Sequence, residues 1–308
     1  MRVFITGPTG VIGSRAIPLL IQAGHEVTAV SRSPRNREAL RRQRATPVEV
    51  DLFDVASLRR EMARHDAVIN LATHMPASAK AMMLPWAWRE NDRIRRYASA
   101  AVAAAARAEG VGRMIQESFA LMYVDSGDAW IDESTPVAPA RYNRTLLDAE
   151  ESANRFTTDG GVGIVLRFGA LYGPDAILHE MLDVMRKGWS PFPGDPNAYF
   201  SSLAQDDAAS AVVAALRVPA GTYNVADDEP MRRVEWVHSL ATAAGIRTPR
   251  PLPQWVTTLG GSMMRLLARS ERISNRRFRT ASGWAPRYPS AASAWRDVLE
   301  AMSHARAA

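Results

Sequence analysis

Three glycines follow an apolar run near the start of the chain. Gly7, Gly10 and Gly13 recur at every third position in Thr6-Gly7-Pro8-Thr9-Gly10-Val11-Ile12-Gly13, directly after Val3-Phe4-Ile5. Gly7 permits a tight turn, Gly10 lets a pyrophosphate reach the backbone because it has no Cβ, and Gly13 lets the next helix pack close to the sheet. Free amides from Thr9, Val11 and Ile12 onward then face the phosphates at the positive end of a helix dipole. The spacing therefore predicts a dinucleotide site.

The end of the next strand selects the cofactor. An NAD site places an acid about 20 residues on, against the ribose hydroxyls. Here the sequence reads Ser31-Arg32-Ser33-Pro34-Arg35, with no acid. A guanidinium can grip a 2′-phosphate with two parallel bonds where a carboxylate would repel it. The expectation is NADP(H), held by Arg32 with help from Ser31 and Arg35. His74 is a candidate acid. It follows the fourth apolar strand, and histidine titrates near neutrality.

Elements must position these residues. Val27–Val30 reads as strand two, Pro47–Asp51 as strand three, Asp66–Ala72 as strand four, Arg113–Ser118 as strand five and Val162–Phe168 as strand six. The helices between them read from Ile17, from Asn36 as an N-cap, from Ala56, as Asn91–Glu109 and as Arg141–Phe156. Later helices are expected over Ile177–Met185, Asp206–Leu216, Arg233–Ala243, Trp255–Leu267 and Ala291–Met302, with a short strand at Thr222–Val225. Strands alternating with helices require right-handed crossovers and a parallel sheet covered on both faces. The fold class is α/β: a Rossmann-type doubly wound parallel sheet with a smaller, mostly helical C-terminal capping region. The boundaries expected are 1–172 for the dinucleotide domain, with 203–225 returning to it, and 173–308 for the substrate cap.

Composition narrows the classes. The 308 residues include 47% hydrophobic residues, enough for a well-buried core. No apolar run approaches the 18 residues of a membrane span. Met1 leads almost directly into a core strand and leaves no room for a signal peptide, so a cytoplasmic protein is expected. There are no cysteines, which excludes disulfides and thiol chemistry. The net charge is +6, but the arginines are scattered among acids. Arg64, Arg95, Arg96 and Arg113 read as solvated helix faces and loop ends, so nucleic acid is not an expected partner. No metal site is expected. Lys80 and Lys187 are the only two lysines.

These residues resemble the extended short-chain dehydrogenase/reductase superfamily, the branch of nucleotide-sugar epimerases and dehydratases. The resemblance covers nearly the whole chain. The glycine motif matches, Asp51-Leu52 matches the pair that meets the adenine, and Asn70-Leu71-Ala72 with Thr73 matches the strand-four motif beside the cofactor. Arg167-Phe168-Gly169-Ala170-Leu171-Tyr172-Gly173-Pro174 resembles the segment after strand six, which places Phe168 beside the cofactor. Asp206-Asp207-Ala208, Tyr223-Asn224-Val225 and Gly283-Trp284-Ala285-Pro286 resemble later landmarks of the branch. Relatives often dimerise through two helices, for which Asn91–Glu109 and Arg141–Phe156 are the candidates.

The resemblance also marks an altered active site. The family places a tyrosine four residues before a lysine that holds the nicotinamide ribose and eases ionisation of the phenol. Tyr142 matches the tyrosine, Leu146 occupies the lysine position, and Glu150 matches the next acid. In strand five, Phe119 occupies the serine or threonine position with Ser118 one place earlier. Without the ammonium, a phenol of ordinary pKa near 10 stays neutral at pH 7. It can donate a proton to a carbonyl under reduction but cannot readily deprotonate an alcohol. Arg141 or Arg144 is a candidate for a substitute positive field.

The catalytic candidates are Tyr142, Ser118 and His74. Met75, Met82, Met83, Trp86 and Trp88 suggest an apolar lid, and hence a substrate more hydrophobic than a nucleotide sugar. The expectation is an NADP(H)-dependent reductase of a small, fairly apolar carbonyl compound. The alternatives are an NADP-binding sensor without catalysis and a nucleotide-sugar epimerase or dehydratase.

Overall fold

The computed structural model describes residues 1–76, 78–253, 255 and 261–307, with the side chains of residues 79, 80, 85 and 305–307 outside that description. The side chain of Lys80 is among those not described.

The first strand, β1 (Arg2–Thr6), buries Val3, Phe4 and Ile5 completely. It is followed by α1 (Gly13–Gln22), β2 (Glu26–Val30), α2 (Pro34–Arg42), β3 (Thr46–Val48), α3 (Val55–Met62) and β4 (Ala67–Asn70). Next come α4 (Ser99–Ala108), β5 (Arg113–Phe119), α5 (Leu146–Thr158) and β6 (Val162–Phe168). A later strand, β7 (Gly221–Val225), pairs with β6. All seven strands are parallel, in the order β7-β6-β5-β4-β1-β2-β3. The order reverses between β1 and β4. In an open α/β sheet a ligand binds in that crevice, outside the carboxyl ends of the strands.

Strands covered on both faces read as continuous apolar runs, and β4 is buried along its whole length. The edge strand β3 contains Pro47, which an edge tolerates because one side of the strand needs no donor. It stops at Val48, short of the expected Asp51.

Three helices differ from the sequence reading. Helix α2 starts at Pro34, not after Asn36, because Ser33 Oγ accepts the Asn36 amide at 3.2 Å and Pro34 takes the first helical position. The long helix expected over Asn91–Glu109 is divided: Arg89–Arg93 is α-helical, Ile94–Ala98 is a π-helical turn, and α4 follows. The helix expected over Arg141–Phe156 is also divided. Arg141–Asn143 is a 3-10 turn, and α5 begins at Leu146. The break falls where Tyr142 stacks on Trp88, with ring centroids 4.7 Å apart. There Thr145 Oγ1 also donates to Asp92 Oδ1 at 2.8 Å. The backbone stays right-handed helical through Arg144 and Thr145, so Tyr142 lies about one turn before Leu146.

Beyond β6, Ala170–Tyr172 pairs in parallel with Ser202–Ala204. The remaining helices are α6 (Ala176–Arg186), α7 (Gln205–Ala214), α8 (Arg233–Ala243), α9 (Gly261–Leu267), α10 (Arg276–Ser282) and α11 (Ala291–Ala307). The expected helix from Trp255 lies partly outside the described residues. The sequence reading missed α10, whose only fully buried apolar side chain is Phe278. Helix α7 lies against α1, where Arg15 Nε donates to Asp206 at 2.8 Å. A second buried cluster, around Trp236, Trp295, Tyr123 and Ile273, forms the core of the C-terminal part. Among the described residues no helix is long and apolar enough to cross a membrane, and no His/Cys/Asp/Glu group could hold a metal.

Candidate active site

The glycine turn fits a pyrophosphate. Gly7 has φ +64°, and a Cβ there would lie 2.4 Å from the Leu71 carbonyl oxygen. Glycine is required both by that conformation and by the approach of β4. At Gly10 a Cβ would meet only Gly7 O, at 3.4 Å, and otherwise open space. At Gly13 it would lie 2.3 Å from Gly7 O and 2.8 Å from Pro8 Cα. Gly13 thus lets the helix approach the turn itself, not the sheet. No side chain caps α1 at Ile12. The amides of Val11, Ile12 and Gly13 have no backbone acceptor among the described residues. Unpaired donors at a helix start form an anion site. Thr9 and Val11 are exposed around it and Ile12 is buried beneath.

The carboxyl end of β2 carries Ser31 and Arg32. Ser31 is buried, and its hydroxyl donates to Ser33 O at 3.3 Å. Arg32 is exposed and pairs with no acid among the described residues, while Glu49 on the neighbouring segment is engaged by Arg37. Asp51 accepts the Phe53 amide at 3.0 Å, and Leu52 is half-buried beside it. Leu71 and Ala72 are buried and Thr73 half-buried at the end of β4. The Phe168 side chain belongs to the core, and its carbonyl accepts the Ala120 amide at 2.8 Å.

The catalytic candidates are spread apart. His74 is exposed, and its amide donates to Asn91 Oδ1 at 2.9 Å. Ser118 is buried and donates to Glu150 Oε1 at 2.6 Å. Arg167 donates to both oxygens of Glu150, at 2.8 and 2.7 Å, and to the Tyr123 hydroxyl at 2.8 Å. That hydroxyl donates to Asn224 Oδ1 at 2.7 Å. The proton of Ser118 is thus committed to a buried network that ties together β5, α5, β6 and β7.

Tyr142 is mostly buried against Trp88. Burial above all raises its pKa, the Glu271 charge raises it further, and Arg95 and Arg269 pull it down without compensating. Glu271 is itself raised well above the usual carboxylate range by burial, which weakens its charge at neutral pH. Leu146 is fully buried and offers no cation. Arg141 and Arg144 are exposed; the positive groups that act on the phenol are Arg95 and Arg269. Arg95, read from sequence as solvated, is only 4% exposed and pairs with Glu117 at 3.3 Å. Arg269 donates to the carbonyls of Tyr123 and Ala138 at 2.8 and 2.7 Å. Arg233 fixes the segment before Glu271, donating to the carbonyls of Asp195, Leu267, Ala268 and Arg269. Burial holds its pKa down to about 10. Of the expected lid, Trp88 is buried and Met82 half-buried, while Met75, Met83 and Trp86 are exposed. Two grooves of about 720 and 650 Å³ lie on the C-terminal part, near Arg276 and near His238; neither is lined by the glycine turn or Tyr142.

A family model, the NAD dependent epimerase/dehydratase family, matches residues 3–226. The chain belongs to that family. It is 33% identical over 313 aligned positions to a 3-diazoavenalumate denitrifying reductase from a Streptomyces species, covering 97% of this chain and 99% of that one. It is 26% identical to a 4-hydroxy-2-methyl-3-oxo-4-farnesyl-3,4-dihydroquinoline-1-oxide ketoreductase of Stigmatella aurantiaca, covering 87% and 82% of the two chains. Among solved structures, human epimerase family protein SDR39U1 with NADPH superposes at a TM-score of 0.76, with 24% identity and 97% and 99% coverage. The Rossmann-like sheet and the extended dehydrogenase/reductase resemblance are thus shown, in an NAD(P)-binding family.

Five residues around Tyr142 escaped the sequence reading: Arg95, Glu117, Asn143, Arg269 and Glu271. One signal was present for Glu117, a lone acid inside a central strand, which is almost never buried unpaired. Arg269 and Glu271 lie more than a hundred residues from Tyr142 and carry no local signal.

Proposed function

We propose that the chain is an NADP(H)-dependent reductase of a small, fairly apolar carbonyl compound, with Tyr142 as a neutral donor to the carbonyl oxygen. The observation that carries this reading is the buried phenol. It is held in its protonated form, stacked on Trp88, with Leu146 where the family has its lysine. NADP(H), when bound, supplies the hydride; Gly10 and the start of α1 would hold its pyrophosphate, and Arg32 its 2′-phosphate. The Tyr142 hydroxyl donates a hydrogen bond to the carbonyl oxygen and gives up its proton as negative charge gathers there. An alkoxide is more basic than even a buried phenolate, so that transfer runs downhill. Arg95 and Arg269 stabilise the developing charge. Oxidation and epimerisation, which need an ionised phenol to take a proton, are disfavoured by the same burial. Ser118 keeps its proton for Glu150, and His74 is left at the open edge of the crevice.

A second reading draws on the denitrifying reductase. Hydride added to the terminal nitrogen of an arenediazonium group gives an aryldiazene; as its C–N bond breaks and dinitrogen leaves, the N–H hydrogen ends on the ring carbon, so no net proton is needed from Tyr142. The loss of the lysine would be harmless in such an enzyme.

The test is turnover of NADPH with ketones, aldehydes, an arenediazonium salt and sugar nucleotides. With a ketone, Tyr142→Phe should lower the rate constant about 10²-fold or more, with little change in NADPH affinity. Unchanged turnover by Tyr142→Phe on the ketone would remove the phenol from the mechanism. Turnover of the diazonium salt alone would favour the second reading. Tight NADPH binding without turnover of any compound would point to a sensor.

A further inference from the structure

The groove of about 720 Å³ beside α10 is lined by Trp130, Asp132, Asp228, Arg276, Arg279 and Trp284, among others. Its volume suits a small organic molecule, since ligand pockets span roughly 300–1,000 Å³. Helix α10 packs on the edge strand β7, where the Phe278 and Tyr223 ring centroids are 5.8 Å apart. A ligand there would touch neither the glycine turn nor Tyr142. The charges lining the groove are unevenly engaged. Asp228 accepts from Arg279 Nη1 at 2.7 Å and from Asn275 Nδ2 at 2.8 Å. Asp132 accepts the Ser134 hydroxyl at 2.6 Å and the Ser134 amide at 2.9 Å. Those bonds hold its carboxyl below the usual carboxylate range, with a lesser contribution from Arg276. Arg276 is exposed, and its guanidinium has no hydrogen-bond or ion-pair partner among the described residues. Both carboxylates are engaged and one guanidinium is open, so the groove favours an anion over a cation.

The aromatic walls are held in place before any ligand arrives. Arg272 Cζ lies 4.1 Å from the Trp130 ring centroid and 4.7 Å from that of Tyr199. A guanidinium therefore covers one side of the Trp130 indole, yet the residue remains 51% exposed. The uncovered surface can take a stacked ring. With a cation already on the indole, a second cation is repelled and a flat aromatic ring is the better partner. Trp284 is buried, and its Nε1 donates to Ser210 Oγ at 2.8 Å. We propose that this groove binds a planar aromatic carboxylate, with the ring on Trp130 and the carboxylate on Arg276. A guanidinium offers such a group two parallel bonds.

The test uses the full chain and calorimetric titration at fixed salt, with 2-naphthoate as the probe. The parent should bind it saturably. Arg276→Gln should weaken binding at least about tenfold, the loss of one charged hydrogen bond. Arg277→Gln removes the same charge from a residue outside the groove, one that lies against Tyr223, and should leave the affinity unchanged. 2-Naphthamide keeps the ring and lacks the charge; it should bind at least about tenfold more weakly than 2-naphthoate. Decahydro-2-naphthoate keeps the charge and bulk without the aromatic ring, and should bind about threefold more weakly or worse. Trp130→Leu should bring 2-naphthoate down to the affinity of that saturated acid. Arg276 and Arg277 are both exposed, so their variants should melt with the parent. The assignment is overturned if the parent shows no saturable binding or if Arg276→Gln binds like the parent. It is equally overturned if Arg277→Gln loses as much as Arg276→Gln, or if the amide or the saturated acid binds as tightly as 2-naphthoate.

Discussion

Replacing Gly10 with alanine separates folding from cofactor binding. The backbone at Gly10 is not left-handed, and the new methyl would find only Gly7 O at 3.4 Å, an ordinary contact. Alanine also restricts the unfolded chain, a gain of about 0.4–1 kcal/mol where the native conformation allows it. The unliganded variant should therefore melt at or slightly above the parent. Binding should fare differently. The methyl occupies the approach of the pyrophosphate, which must retreat from the amides that follow Gly10. Hydrogen bonds to a charged group contribute about 1.5–3 kcal/mol each. Losing two costs about 3–6 kcal/mol, or roughly a 10²- to 10⁴-fold rise in Kd at 1.4 kcal/mol per tenfold. Circular-dichroism melting gives the first quantity, and a fluorescence titration with NADPH gives the second. Gly13→Ala is the contrast, since its Cβ would sit 2.3 Å from Gly7 O and must deform the turn before any ligand arrives. Parent-like NADPH affinity in a folded Gly10→Ala protein would refute the assigned phosphate position.

Arg32→Ala should weaken NADPH far more than NADH in the same titration; equal losses would show that Arg32 does not read the 2′-phosphate. Glu150→Ala leaves the buried Arg167 without its carboxylate, at a cost of about 3–5 kcal/mol. At about 2 °C per kcal/mol for a chain of this size, that lowers the melting midpoint by about 6–10 °C. Glu150→Leu with Arg167→Met should recover much of the loss, and a double variant as unstable as Glu150→Ala would refute the charge argument. Burial raises the pKa of Glu271 in the folded chain, so the native state keeps a proton that the unfolded state releases. That stability is complete below the ordinary carboxylate range and is lost as pH rises toward the native pKa. Glu271→Gln should flatten part of the resulting decline in melting midpoint above about pH 5, with Asp227, raised by the same cause, retaining its share. An identical pH profile in parent and variant would place the decline elsewhere.

The sheet was legible because its signals are local. Val3-Phe4-Ile5 before Gly7, and the largely apolar Val162–Phe168, interrupted only by Gly163 and Arg167, need no tertiary context, and β6 has the expected bounds. The helix ends were less legible because side chains far away decide them. Asp92 and Trp88 end the turn at Tyr142, and nothing in Arg141–Phe156 announces it. The surroundings of Tyr142 were the least legible. Arg95 looked like one more arginine in an arginine-rich stretch until the π-helical turn placed it beside Glu117.

The pairing of β7 with β6 also governs how the chain can be divided. Between these neighbouring strands the chain makes its excursion through Ala170–Tyr172, α6 and Ser202–Ala204, and it returns along α7. A polypeptide ending near residue 172 would leave Val162–Phe168 as a bare margin, rich in apolar side chains, with its amides and carbonyls open on one side. Such a margin recruits strands from other molecules. It would also lack Asn224, which receives the Tyr123 hydroxyl, so the buried arginine network would end in an unmet donor. A nascent chain faces the same exposure until residue 225 has emerged. Truncation at residue 172 should therefore yield aggregates, and truncations that keep β7 should fare better.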